Sequence, residues 1–259
     1  DESVEAYTKA LFIKPDYAEG YYNLGNALKG VTFTKPNRDL QKTIVSLLDK
    51  GRYVRPNDIA KAAISLLKLE PSIQDLLENC TQDRSVQLLK KDITTLSDYP
   101  LLLKLMSLCP ISDIEFENLL RELRARLLSA AVKLNPSPAL LKFQAALALQ
   151  CFLNEYIYDV KQEEQEAVSQ LEQVVEKTFS DGLQPSPIIL LVLASYKVLN
   201  GYDWCPSLVV TEEIQEVFTY QVEEPSEEEK LKQDLSILEE ITDKTSYKVK
   251  EQYEENPYP

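Results

Sequence analysis

Chemistry near neutral pH usually draws on an imidazole, an activated thiol, a glycine-rich phosphate cradle or converging carboxylates. The 259 residues include no histidine. That removes the usual acid/base, the Ser-His and Cys-His nucleophile pairs and most zinc and iron sites. Glycine occurs six times, at Gly20, Gly25, Gly30, Gly51, Gly182 and Gly201, and no two are spaced as in a GxGxxG turn or a P-loop. The four cysteines, Cys80, Cys109, Cys151 and Cys205, are spread along the chain without a CxxC and sit among apolar residues. Buried free thiols and a reducing, cytoplasmic setting are expected. The acid pairs Glu163-Glu164, Glu223-Glu224 and Glu227-Glu228-Glu229 lie in exposed-type runs without EF-hand spacing, so they read as solubilising charge rather than metal ligands. The expectation is a non-catalytic chain with no cofactor and no metal ion.

Three constellations remain. Asn154, Glu155 and Tyr156 end the most apolar helical stretch, with Tyr158 and Asp159 just beyond; they read as a partly buried polar site or as a helix terminus satisfying its own backbone. Asp203 and Trp204, between Gly201 and Cys205-Pro206, read as an aromatic recognition corner or as a core plug. Arg121, Arg124 and Arg126 form a basic cluster in an acidic chain, and Glu117 and Glu122 are placed to pair with them along one helix.

Charge narrows the partners. Lys+Arg number 28 against 42 Asp+Glu, a net charge of -14, which repels phosphate backbones and anionic headgroups. Neither nucleic acid nor a membrane is an expected partner. The strongest apolar run, residues 188–194, is far short of the roughly 20 residues needed to cross a bilayer. The chain opens at Asp1 and its single methionine is Met106, which suggests a piece of a longer protein.

The elements that must position these residues are helical. Between prolines, apolar residues recur at helical spacing while β-type alternation is scarce. The spacing predicts helices over residues 3–13, 18–28, 39–49, 58–69, 73–80, 86–96, 100–108, 114–134, 140–155, 162–179, 187–199 and 211–221. The first two form an antiparallel pair around Lys14-Pro15-Asp16. Pro36-Asn37 and Pro56-Asn57 start the next two, and Ser112-Asp113-Ile114-Glu115 starts the eighth. The segment 140–155 is apolar around most of its circumference and belongs at the centre of the core. Beyond Pro225, residues 221–259 hold twelve acids and five lysines, a net of -7. This region reads as solvated, with 226–241 either a charged helix or a disordered tail.

The stretch from Ala6-Tyr7 through Ala10-Leu11 and Lys14-Pro15-Asp16 to Ala18-Glu19-Gly20-Tyr21-Tyr22-Asn23-Leu24-Gly25-Asn26-Ala27-Leu28 resembles the tetratricopeptide repeat, the end of one repeat and the start of the next. Gly25 and Ala10 suit a close helix crossing, Tyr7 and Tyr21 fill the space beside it, and Pro15 sets the turn. At Gly30 the pattern stops and no 34-residue period resumes. In that family exposed residues on the first helix of each repeat line a partner-binding groove. The resemblance puts Tyr22, Asn23, Asn26 and Lys29 there, against the alternative that so short an array makes no groove and these side chains face water.

Further along, Leu120-Arg121-Glu122-Leu123-Arg124-Ala125-Arg126-Leu127-Leu128, Gln150-Cys151-Phe152-Leu153-Asn154-Glu155-Tyr156, Asn200-Gly201-Tyr202-Asp203-Trp204-Cys205 and Glu251-Gln252-Tyr253-Glu254-Glu255-Asn256-Pro257-Tyr258-Pro259 resemble a family of tetratricopeptide-containing, S-adenosylmethionine-dependent methyltransferases. There, a helical region of this kind precedes the catalytic domain, whose glycine-rich cofactor loop would lie beyond Pro259. The resemblance implies an all-α chain in three parts: a tetratricopeptide-like pair (1–30), a helical bundle or irregular superhelix (31–222) and an acidic linker or helix (223–259). It implies a non-catalytic region that binds a protein or peptide and presents substrate to a methyltransferase domain in cis. The alternative is a free-standing adaptor or scaffold.

Overall fold

The computed structural model describes residues 2–79, 85–234 and 244–255. Among these the chain is all-α, with no strand. Residues 1–222 form one compact unit and 223–259 a second.

The first unit opens with the antiparallel pair α1 (Glu2–Ile13) and α2 (Ala18–Leu28), turned at Pro15. The Tyr21 hydroxyl donates to the Pro15 carbonyl at 3.2 Å, which ties the turn to the second helix. The glycine expected to bring this pair together is not the one that does. A Cβ on Gly20 would lie 3.2 Å from Leu11 Cδ2 on α1 and 2.5 Å from the Tyr17 ring, whereas a Cβ on Gly25 would lie 3.0 Å from Val54 Cβ. Gly25 therefore admits the later 53–54 segment, and Tyr21 stacks on Tyr53 there with ring centroids 5.8 Å apart.

Residues 31–37 are non-helical, and α3 (Arg38–Asp49) and α4 (Pro56–Leu67) follow. The two Pro-Asn pairs start their helices in different ways. Asn37 caps α3, its Oδ1 accepting from the Leu40 N–H at 2.9 Å, whereas Pro56 is itself the first residue of α4, where a missing N–H costs nothing. Next come α5 (Pro71–Asn79), α6 (Val86–Ser97), α7 (Pro100–Leu108) and α8 (Ile114–Ala130). Asp113 caps α8 by accepting from the Glu115 and Phe116 N–H groups, both at 3.2 Å. Its carboxylate, with that of Glu115, also holds Lys68, the residue that follows α4. A short 3-10 turn, Ala131–Lys133, closes α8, so the α-helix stops short of the expected residue 134.

The helix α9 (Pro138–Leu153) is the hub: it packs on α6, α7, α11 (Pro187–Ala194) and α12 (Glu212–Phe218). Its burial on every side explains why its apolar residues show no single face. Two glutamines are buried in it. The Gln150 amide donates to the Cys109 carbonyl at 3.3 Å and accepts from the Ile111 N–H at 3.2 Å, fastening the segment between α7 and α8. Gln144 Nε2 donates to Ile188 O at 3.4 Å.

The amphipathic α10 (Gln162–Ser180) packs on α8 and α11. The expected helix 187–199 is shorter, ending at Ala194. The Ser195 hydroxyl folds back to Val192 O at 2.7 Å, and a 3-10 turn, Leu199–Gly201, follows. The freed Ala194 carbonyl accepts from the Tyr156 hydroxyl at 3.2 Å and from Gln221 Nε2 at 3.0 Å. Likewise α12 gives way at Phe218 to a π-helical turn, Thr219–Glu223.

In the second unit, α13 (Glu224–Asp234) begins with Pro225 in its first turn and α14 (Lys244–Glu255) follows. The charged helix expected over 226–241 is seen as far as Asp234; residues 235–241, the terminal 256–259 and Cys80 lie outside the described residues. No helix among the described residues is long and apolar enough to cross a membrane.

Candidate functional site

Helices α3, α7, α9 and α12 border a groove of about 650 Å³. Its apolar surface comes from Val45, Leu103, Leu141, Ala145 and Ala146, with Pro100, Pro136 and Pro138 at the helix starts. The prolines follow from local structure. Pro100 and Pro138 occupy first-turn positions, and Ser137 caps α9 by accepting from the Leu140 N–H at 3.3 Å. Small residues at 145 and 146 keep α9 low at this point, and that leaves the depression.

The polar residues of the groove are sorted by helix. Lys104 comes from α7 and Lys142 from α9, while Glu212, Glu213 and Glu216 all come from the exposed side of α12. Lys104 is oriented by Asp49 of α3 at 2.7 Å. A hydrogen bond from Thr211 holds the Glu213 carboxyl below its ordinary value. An apolar floor with lysines on one set of helices and glutamates on another suits an amphipathic peptide carrying charges of both signs. The groove is not legible in the sequence, because its wall segments, at 45, 100–107, 136–146 and 212–216, are separated by about 30 to 65 residues of chain.

The row expected on α2 faces solvent in part. Tyr22 is 56% exposed, Asn26 and Lys29 are exposed, and Asn23 is half-buried. Lys29 reaches Asp58 of α4 at 3.0 Å. The groove described above is built from other residues.

The 154–156 stretch sits at a helix terminus. Asn154 follows the last residue of α9, and Glu155 and Tyr156 both take φ of 56°, the left-handed region that ends a helix. Tyr156 N–H donates to Cys151 O at 2.8 Å. Burial pushes the Tyr156 hydroxyl far above its ordinary range, so it serves as a donor, to Ala194 O. Trp204 is buried and stacked between Phe179 and Tyr202, with centroids 5.3 and 4.7 Å away. Beside it Asp203 is exposed, and both line a shallow cavity of about 510 Å³ with Glu176 and Tyr202. Asn154, Glu155 and Tyr156 are not among its walls.

The arginine cluster corrects the expectation of pairs along one helix. Arg121 donates to Asn118 at 3.0 Å. Arg124, 1% exposed, has its guanidinium 4.3 Å from the Tyr196 ring centroid and 5.6 Å from that of Tyr158, and donates to Asp159 O at 2.9 Å. Arg126 reaches across to Asp92 of α6 at 2.9 Å. Residues 124 and 126 are two apart, so they leave α8 in different directions and find different tertiary partners. Around Arg124, the Tyr196 hydroxyl donates to Glu164 Oε2 at 2.7 Å. Burial pushes the Cys151 thiol up to about 12, against the opposing pull of the Arg124 charge. Among the described residues no group of three Cys, Asp or Glu side chains is arranged to hold a metal ion.

Comparison with known families matches residues 1–30 to the TPR repeat. Residues 1–30 are similar to that repeat. The match spans α1 and α2, the pair whose glycines and tyrosines are described above, and repeats of this kind generally mediate protein–protein interaction. No curated protein and no solved structure gives a significant match to the chain.

Proposed function

We propose that this all-α, tetratricopeptide-containing chain is a non-catalytic protein-interaction region whose α3/α7/α9/α12 groove receives an amphipathic peptide segment of a partner protein. The observation that carries the proposal is the sorting of charge around the apolar floor, with Lys104 and Lys142 on α7 and α9 and the three glutamates on α12. The matching partner has apolar residues at helical spacing, an acidic edge for the lysines and a basic edge for the glutamates. The partly exposed row Tyr22, Asn23, Asn26 and Lys29, on α2 and just after it, is a second place where a longer partner would touch the chain. The setting is cytoplasmic, a reading supported by the unpaired Cys109, Cys151 and Cys205.

Selection of a displayed random-peptide library against the chain tests this, with a Lys142→Glu, Ala145→Arg, Glu216→Lys variant as the counter-target. Peptides with the stated pattern that bind the chain and not the variant support it. Peptides that bind both equally, or no enrichment at all, reject it.

The resemblance of the later segments to tetratricopeptide-containing methyltransferases supports a finer reading, in which the partner is a substrate presented to a methyltransferase domain following in cis; the alternative is a free-standing adaptor. Sequencing the gene past codon 259 separates the two. A frame continuing into a strand and a glycine-rich turn favours the first, and an early stop codon favours the second.

A further inference from the structure

The shallow cavity of about 510 Å³ beside Trp204 shares no residue with the groove. Two elements build it. The end of α10 contributes Glu176 and Phe179, three residues apart and so on one face of the helix, and the turn after Leu199 contributes Tyr202, Asp203 and Trp204. Trp204 is buried between Phe179 and Tyr202 and fixes both rings. The ring surface left to a ligand is therefore that of Phe179 and Tyr202, which are half-buried and line the cavity. Tyr202 is held a second time, by its hydroxyl, which donates to Glu172 at 2.7 Å. An aromatic wall set before any ligand arrives costs little ordering on binding.

The charge of the lining has one sign. Glu176 and Asp203 are exposed and acidic, and no lysine or arginine is among the described lining residues. The lysine near Tyr202, Lys197, is taken by Glu172 at 2.6 Å. Carboxylates beside aromatic surface attract a cation and repel an anion. A guanidinium suits this combination best, because its plane lies flat on a ring while its fork of N–H groups meets carboxylates, whereas an ammonium is a compact, strongly hydrated charge. The volume falls within the range of ligand pockets, and a net charge of -14 draws basic partners towards the chain.

We propose that this cavity receives an arginine side chain of a partner protein, its guanidinium on the Tyr202 or Phe179 ring and its N–H groups directed to Glu176 and Asp203. The site does not depend on the groove, so either can fail without the other.

Trp204 is the single tryptophan of the chain, and its fluorescence reports on this cavity alone. The full 259-residue chain is titrated at constant ionic strength with acetyl-Gly-Arg-Gly-amide, and with the same peptide carrying lysine or citrulline in place of arginine, each at up to about 20 mM. The arginine peptide is expected to change the emission saturably. The citrulline peptide, which keeps the shape without the charge, should bind at least tenfold more weakly, and the lysine peptide severalfold more weakly. Glu176→Gln combined with Asp203→Asn alters only exposed side chains, so it should keep the melting temperature and lose at least tenfold in affinity; Glu176→Gln alone should lose severalfold. No saturable change with the arginine peptide overturns the proposal. So does equal binding of the lysine or the citrulline peptide, or unchanged affinity in the double variant.

Discussion

Replacing Asp92 by alanine tests whether the core tolerates charge only in pairs. The Arg126 and Asp92 side chains are 9% and 10% exposed and meet at 2.9 Å, and two further guanidinium nitrogens of Arg126 already lack partners. Asp92→Ala therefore strands a buried cation with no ionic partner among the groups that contact it. Breaking a buried pair from one side costs about 3–5 kcal/mol, whereas an exposed pair such as Lys42–Asp39, 79% and 82% exposed, contributes about 0–1 kcal/mol. For a unit of this size, about 2–4 °C per kcal/mol turns the loss into a fall of about 6–20 °C in melting temperature. Removing both charges, as Asp92→Leu with Arg126→Met, should recover more than half of the loss, since no charge then remains to be solvated. Urea denaturation of Asp92→Leu, Arg126→Met and the double variant measures the cycle, with Asp92→Ala beside them. A cost below about 1 kcal/mol for Asp92→Ala, or a double variant no better than the single one, would show that water reaches the pair and that the reasoning about its burial is wrong.

Other outcomes follow from the same contacts. Gly25→Ala gains about 1 kcal/mol of helix propensity but drives a methyl group to 3.0 Å from Val54 Cβ, so it should destabilise by about 1 kcal/mol net; Val54→Gly, which removes that Cβ, should abolish the penalty of Gly25→Ala when the two are combined, and a more stable single variant would contradict the close approach. Phe143 is 0% exposed on the central helix, and Phe143→Ala should cost about 3–5 kcal/mol by urea denaturation. The Cys109 and Cys151 thiols, pushed by burial up to about 11 and about 12, should resist a thiol reagent at pH 8 until the chain unfolds. Their raised values also set a direction with pH. The unfolded chain loses these protons first, so the stabilisation is complete below pH 9 and is lost as pH rises through 11 to 12, by about 1.4 kcal/mol per pH unit for each group. Cys151→Ala should flatten that alkaline slope, and an unchanged slope would assign it to other groups.

Helices were legible where caps and periodicity agree. Asp113 and Pro100 marked their helix starts, and α2 and α7 have the bounds expected from the sequence. Ends were harder to read, because they depend on tertiary partners. Tyr196, Val198 and Leu199 carry the apolar pattern past α11, but Gln221 and Tyr156 capture the Ala194 carbonyl and help end the helix there. The tetratricopeptide pair was visible in local spacing, yet the role of Gly25 was misread, since Val54 lies 29 positions away in the chain. Asp92 did carry a signal. It sits on the apolar stripe of α6 with Leu89, Ile93 and Leu96, as Arg126 does in step with Leu119, Leu123 and Ala130 of α8, and a charged residue on a buried stripe demands a partner. The groove carried no comparable mark, because Lys104, Lys142 and Glu216 become neighbours only once α9 has gathered the helices around it.

The central claim is that a partner peptide occupies the groove over α9. Hydrogen exchange of the chain, alone and saturated with a peptide selected from the displayed library, tests it most directly. The account predicts new protection concentrated in residues 100–108, 138–146 and 212–218. Protection confined to other helices, or unchanged exchange in those three segments with the peptide bound, would contradict it.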